Sequence, residues 1–98
     1  MIEKIKNEQT EKLCKAIVSI KSVEECYRFL EDLCTLSEIT EMSKRLTAAE
    51  MLREGITYNE IAEKTGLSTA TITRVNRSLR YGSDGYNLVL DRLQNDRL

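Results

Sequence analysis

Hydrophobic positions recur every three to four residues along most of this 98-residue chain, which is the period of amphipathic helices. Strand-like alternation is absent from the sequence, and so is proline. The pattern therefore predicts an all-α fold. Its six predicted helices lie near residues 3–20, 23–33, 36–54, 58–65, 69–80 and 85–97.

Several of these helices have sequence signals at their ends. Ser22, Thr35 and Thr57 are each followed three residues later by Glu, which is the pattern of a capping box. In that box the hydroxyl accepts a backbone N–H, and the Glu carboxylate bonds back to the cap. Gly55 suits the left-handed backbone that ends many helices, so it marks the end of the third helix.

Residues 57–80 have the pattern of a helix-turn-helix. Gly66 can adopt the positive φ that a tight turn needs, and Ala62 is small enough for close contact between the two helices. Ser68 can cap the second helix, while Thr65 occupies a position that is usually apolar. The positions expected to face inward are apolar: Ile61, Leu67, Ile72, Val75 and Leu79.

The outer face of the second helix in this motif presents residue types that suit the major groove of DNA. Thr and Ala methyls can contact thymine methyls, hydroxyls can donate or accept, and Arg can bind guanine or phosphate. The predicted contacts on this helix are Thr69, Ala70, Thr73, Asn76 and Arg77. The predicted phosphate contacts on the preceding helix are Tyr58, Asn59 and Lys64. The motif therefore predicts double-stranded DNA as a partner.

Charge is distributed unevenly along the chain, whose net charge is −1. Residues 44–80 carry a net charge of +3, whereas residues 1–43 carry −3 and residues 81–98 carry −1. Phosphate attraction depends on the local charge of the face presented, so the small overall negative charge does not exclude DNA binding.

Other classes of function lack support in the sequence. The chain has no His, no Gly-rich phosphate loop and no Ser or Cys beside an obvious base, so we expect neither an enzyme nor a cofactor or metal. Cys14, Cys26 and Cys34 are expected to be reduced cysteines packed in a core. The absence of a long apolar run and of a signal core predicts a cytoplasmic protein that does not enter membranes.

The segments Ala70–Arg74 and Asn76–Arg80, together with Lys44–Leu46, resemble the Trp repressor family. The match runs from about Cys34 to Arg80, and the chain looks most like the Trp-repressor-related proteins of the YerC/YecD type. The resemblance implies a six-helix fold and an intertwined symmetric homodimer that binds a pseudo-palindromic operator. It also implies one domain over 1–98, with a reading head at 57–80 and a dimerisation core at 1–54 and 84–98.

Ligand-controlled members of that family bind tryptophan between two arginines and nearby polar groups. The resemblance places four residues of this chain at matching positions: Thr35, Arg45, Arg74 and Ser78. Val75 stands where those members have glycine, and its branched side chain would enter the volume of the indole. Control by tryptophan is therefore disfavoured, whereas control by another small-molecule effector, or by none, stays open.

Two further interpretations of the sequence stay open beside that of a repressor. The helix-turn-helix could be the head of a recombinase or sigma-factor-like assembly, although that class lacks the Lys44–Leu46 context and the closing helix. The chain could also be a helical interaction module that does not bind DNA. Agreement between the caps, the turn glycine, the apolar positions and the local charge favours a DNA-binding repressor.

Overall fold

A computed structural model describes residues 2–96 of the chain, which form seven α-helices and no strand. The helices are α1 (Ile2–Ile5), α2 (Glu8–Val18), α3 (Val23–Leu33), α4 (Leu36–Arg53), α5 (Tyr58–Thr65), α6 (Thr69–Tyr81) and α7 (Gly85–Asp96). The all-α class is confirmed, and most helix ends lie within a residue or two of the prediction. The predicted end of the last helix, at residue 97, lies outside the described residues.

The count of six helices was wrong, because the first predicted helix is interrupted at Asn7. This residue has extended backbone, with φ −162° and ψ 178°. Its Oδ1 accepts a hydrogen bond from the N–H of Thr10 at 2.9 Å, and its own N–H donates to the Thr10 hydroxyl at 2.9 Å. Asn competes well for backbone groups in this way, so it starts a new helix inside an apolar periodic segment.

The three predicted cap hydroxyls each accept the backbone N–H three residues on, at 3.1 to 3.3 Å. At the start of α4 the box is reciprocal, because the Thr35 N–H donates to Glu38 Oε1 at 2.8 Å. That N–H, followed by the Thr35 hydroxyl, holds the pKa of Glu38 below its ordinary value. At the start of α3 the carboxylate reaches one residue further back, since Glu25 accepts the N–H of Lys21 at 3.0 Å.

The chain divides into two compact units, with the boundary between Ile39 and Thr40. In the first unit, helices α1, α2 and α3 contain no buried residue. Their apolar stripes are nevertheless well formed and exposed: Leu13, Ile17, Val18, Val23, Tyr27 and Leu33. The described helices of this unit therefore carry hydrophobic faces without a hydrophobic core.

The second unit has a core, and its centre lies between α5 and α6. Ile61 and Ile72 are the largest side chains that are fully buried there. The rest of the buried apolar cluster comes from α4, α6, α7 and the turn: Ala48, Ala49, Leu52, Leu67, Val75, Leu79 and Leu90. The residues predicted to face inward are all in this cluster.

The end of α4 is set by a left-handed glycine, as the sequence predicts. Gly55 has φ 79°, and its N–H donates to the carbonyl of Leu52 at 3.1 Å. The N–H of Ile56 donates to the carbonyl of Met51 at 3.1 Å, which completes a Schellman motif. Ile56 and Met51 both pack against the core, so the motif turns the chain back toward it.

Polar side chains attach α7 to the remainder of the second unit. Arg53 at the end of α4 forms an ion pair with Asp91 and donates a hydrogen bond to the carbonyl of Asn87 at 3.3 Å. The Asn87 amide donates to the carbonyl of Leu79 at 3.2 Å, which links α7 to α6. No helix in residues 2–96 is long and apolar enough to cross a membrane.

Thr65 occupies a position that is usually apolar, and its hydroxyl forms hydrogen bonds with two backbone groups. The buried Oγ1 donates to the carbonyl of Ile61 at 2.7 Å and accepts the N–H of Leu67 at 3.2 Å. The side chain is only 8% exposed, so the hydroxyl holds the turn while the methyl group is buried.

Replacement of Thr65 by valine should destabilise the protein although the two side chains have nearly the same shape. The substitution removes the acceptor of a buried N–H, so the free energy of unfolding should fall by about 1–3 kcal/mol. Thr65→Ser keeps the hydroxyl and should lose only about 0.8 kcal/mol for the buried methyl group. Urea unfolding at one fixed protein concentration measures both, and a Val variant as stable as the wild type would contradict the assigned role.

Candidate nucleic-acid interface

Helices α5 and α6 are joined by a three-residue turn, Gly66–Ser68, and pack against each other. Gly66 ends α5 with φ 76° and ψ 5°, and its N–H donates to the carbonyl of Ala62 at 2.8 Å. Ser68 then caps α6, because its Oγ accepts the N–H of Thr71 at 3.1 Å. The predicted roles of the turn glycine and the serine cap are thus both present in the geometry.

Helix α6 has one buried and one exposed side. The buried side consists of Ile72, Val75 and Leu79. The exposed side, which we call the outward face of α6, consists of Thr69, Ala70, Thr73 and Arg77. No acidic residue lies in the helix, and Arg74 and Arg80 are also exposed. Since the buried stripe holds α6 against the core, the outward face is presented on a rigid element.

Asn76, the fifth predicted contact on α6, is placed differently. It is half-buried, and its Oδ1 accepts a hydrogen bond from Arg80 Nε at 3.3 Å. This bond between neighbouring turns orients the guanidinium of Arg80 along the helix. Asn76 therefore lies at the edge of the outward face, with its amide oxygen already engaged.

The three predicted phosphate contacts on α5 also divide by environment. Asn59 and Lys64 are exposed, as a phosphate contact requires. Tyr58 is half-buried and packs against the core cluster, so most of its ring is a structural element of the helix pair.

Tyr81 belongs to this surface but was missed, because the predicted helix stops at residue 80. The helix extends to Tyr81, whose side chain is 86% exposed. It follows Arg77 by one helical turn and therefore lies on the same side of α6. The next residue, Gly82, ends the helix at a position where a Cβ would lie 2.4 Å from the carbonyl oxygen of Ser78. The four-residue spacing between Arg77 and Tyr81 was visible in the sequence, whereas the extension of α6 to residue 81 was not.

Three of the four predicted effector residues line one small cleft. Arg45, Arg74 and Ser78 surround it. The other lining residues are Glu41, Thr71, Val75 and Tyr86. The fourth predicted residue, Thr35, belongs to the first unit, where its hydroxyl and N–H are both bonded to Glu38. We call the space between these side chains the Arg45–Arg74 cleft.

The volume of the Arg45–Arg74 cleft is about 110 Å³. Ligand pockets usually measure about 300–1,000 Å³. Val75 limits the cleft, because its side chain is 3% exposed and belongs to the core. Arg45 and Arg74 form no ion pair with Glu41, the acidic residue of the cleft. The cleft is therefore polar and cationic, and it is smaller than most ligand pockets.

Shortening Val75 should weaken the core and enlarge the cleft. Val75→Ala should lower the free energy of unfolding by about 1–3 kcal/mol because less apolar surface is buried. Val75→Gly should lose about 1 kcal/mol more because glycine is a poor helix former. Titration calorimetry should detect no heat with tryptophan for the wild type and a measurable heat for Val75→Gly. If the folded Gly variant also shows no heat, Val75 is not what blocks the site.

The residues described bring together no group of three His, Cys, Asp or Glu side chains that could hold a metal ion. Cys14 is exposed, while Cys26 and Cys34 are partly buried, and all three are free thiols. Within the single chain, Cys14 is therefore outside any core. It lies on α2, and no residue of that helix is buried.

The helix arrangement and the acid-free outward face of α6 are those of a helical regulator of the Trp repressor type. The sequence profile of the Trp repressor protein family matches residues 8–94, so the chain belongs to this family. It is 50% identical over 93 residues to the uncharacterized protein YerC of Bacillus subtilis (strain 168), covering 95% of this chain and 89% of YerC.

Two solved structures share both fold and sequence with this chain. A TrpR-like protein from Eubacterium eligens ATCC 27750 superposes with a TM-score of 0.89 and is 55% identical, covering 94% of this chain and 95% of that one. A candidate Trp repressor from Staphylococcus aureus gives a TM-score of 0.90 at 46% identity, covering 96% of this chain and 94% of that one.

Proposed function

We propose that this protein is a sequence-specific DNA-binding transcription regulator that acts as a repressor. In this proposal α5 and α6 form a helix-turn-helix, and the first turn of α6 enters the major groove. Membership of the Trp repressor family supports a DNA-binding regulatory role. The candidate Trp repressor of Staphylococcus aureus, which is similar over nearly the whole chain, supports the same conclusion.

The observation that carries this proposal is the division of α6 into a buried apolar side and an outward face without acidic residues. Thr69 and Ala70 lie at the start of the helix, where the positive end of the helix dipole favours approach to phosphates. Arg77 lies two turns further on the same face and can reach guanine or the backbone. These are the residues that we expect to determine binding.

We further infer that two copies of the chain form a symmetric dimer. The first unit has helices with exposed apolar stripes and no buried residue, which is costly for an isolated chain. A second copy of this chain would cover these stripes. Two helix-turn-helix heads would then bind half-sites one DNA turn apart, about 34–36 Å, so the operator would be pseudo-palindromic.

Tryptophan is not the effector in this proposal. The small volume of the Arg45–Arg74 cleft and the buried position of Val75 argue against an indole ligand. The DNA-binding surface is on the opposite side of α6 from Val75, so it can act without a ligand in the cleft.

Arg77→Ala should weaken DNA binding while leaving the fold intact, because Arg77 is exposed. If Arg77 binds phosphate, affinity should fall for all duplexes, and the log–log salt dependence should become shallower by about 0.9 for each phosphate no longer neutralised. If it reads guanine, discrimination at one base pair should decrease by about 1–3 kcal/mol.

Fluorescence anisotropy with duplexes selected from a random pool measures both effects of Arg77→Ala. Arg28→Ala removes an exposed arginine of the same type from α3 and serves as the matched control. Unchanged binding in the Arg77 variant would remove that residue from the interface. Wild-type binding that does not weaken between about 50 and 200 mM salt would contradict DNA recognition altogether.

The full chain should sediment as a dimer at low micromolar concentration. Ile17→Asp places a charge on an exposed apolar stripe of α2 and should shift the equilibrium toward monomer. Lys12→Asp changes an exposed polar position of the same helix and should leave the dimer unchanged. A wild-type chain that sediments only as a monomer would contradict the proposed dimer.

A further inference from the structure

Lys44 brings a positive charge from α4 to the turn between α5 and α6. Its side chain is only partly exposed. Its Nζ lies 3.8 Å from the position that a Cβ on Gly66 would occupy. Gly66 is itself exposed. The ammonium group of Lys44 therefore lies beside an exposed residue of the turn, although Lys44 belongs to neither helix of the pair.

The surroundings of this ammonium group leave it available to an anion. Gly66 ends α5, and the carbonyl groups at the end of a helix carry partial negative charge that attracts a cation. The ion pairs within residues 2–96 join Lys6 to Glu3 and Arg53 to Asp91, so no carboxylate there is paired with Lys44. An ammonium group has three N–H donors, and a helix end does not use them all.

We propose that Lys44 binds a DNA phosphate beside the turn and so extends the DNA-binding surface from the helix pair onto α4. This inference rests on the proposed function, in which the start of α6 approaches the major groove. A phosphate at this point would lie between the Lys44 ammonium group and the N–H groups at the start of α6. Because Lys44 is only partly exposed, its side chain has less conformational entropy to lose when the ammonium group binds.

Lys44 differs in its placement from the other basic residues near the motif. Arg77 and Lys64 lie on the helices that approach DNA and are exposed. Lys44 lies on a helix that supplies the core, through Ala48, Ala49 and Leu52. A phosphate bound there would fix the orientation of the core relative to the DNA, and not only that of α6. Lys44 therefore helps to set the position of the protein along the duplex and does not itself recognise bases.

The test measures binding of the full-length protein to a random-sequence duplex as salt is raised from about 50 to 200 mM. Lys44→Gln should make the log–log slope shallower by about 0.9 for each subunit that no longer binds its phosphate. Lys44→Arg keeps the charge and should keep the slope. Lys12→Gln removes an exposed lysine from α2 and should leave the slope unchanged. Thermal unfolding without DNA monitors the fold of every variant.

A slope that stays at the wild-type value in folded Lys44→Gln would overturn the proposal and leave Lys44 as a cation that only stabilises the end of α5. An equal decrease of slope in Lys12→Gln would also overturn it, because total charge would then explain the effect. If Lys44→Gln fails to fold, Lys44→Arg decides, since a charge-retaining variant with a shallower slope contradicts phosphate binding. Wild-type protein without salt-dependent binding is a different result, because it contradicts the proposed function itself.

Discussion

The second unit depends on the apolar core that Ile61 of α5 and Ile72 of α6 share. Both side chains are fully buried, and the turn between their helices has only three residues. So short a connection needs a left-handed residue, which is Gly66, and a partner for the N–H of Leu67, which is the Thr65 hydroxyl. Loss of either would destabilise the turn that holds the buried stripe and the outward face of α6 in place.

The same packing separates the proposed DNA-binding face of α6 from the Arg45–Arg74 cleft. Val75 lies on the buried stripe of α6 and also lines the Arg45–Arg74 cleft. A side chain that completes the core thus occupies the volume that a glycine would leave open for a ligand. The outward face of α6 is held in place by a buried stripe that includes the Val75 side chain. A larger cleft would require that side chain to be absent. Stability of the helix pair and room for an indole are therefore opposed at one residue.

Sequence patterns predicted the fold well where each signal is local. The capping hydroxyls, Gly55 and Gly66 have roles decided by a few neighbouring residues, and all were predicted correctly. The break at Asn7 was missed because its partner is Thr10 rather than Glu. The half-burial of Tyr58 depends on contacts with distant segments, which periodicity within one helix does not reveal. The sequence predicted the outward face of α6, but it did not predict the half-burial of Asn76 or the place of Tyr81 on that helix.

In the first unit, the sequence pattern predicts apolar helix faces but not what covers them. Helices α2 and α3 have clear apolar stripes, and periodicity predicted α3 correctly and α2 as part of one longer helix. Periodicity does not say what covers the stripes, because a helix face is equally apolar whether it meets its own chain or another copy. Neither helix contains a buried residue, so within the single chain these stripes are not covered. Since water is a poor solvent for such faces, association would stabilise them, and the dimer that we propose ties the fold of this unit to a second copy of the chain.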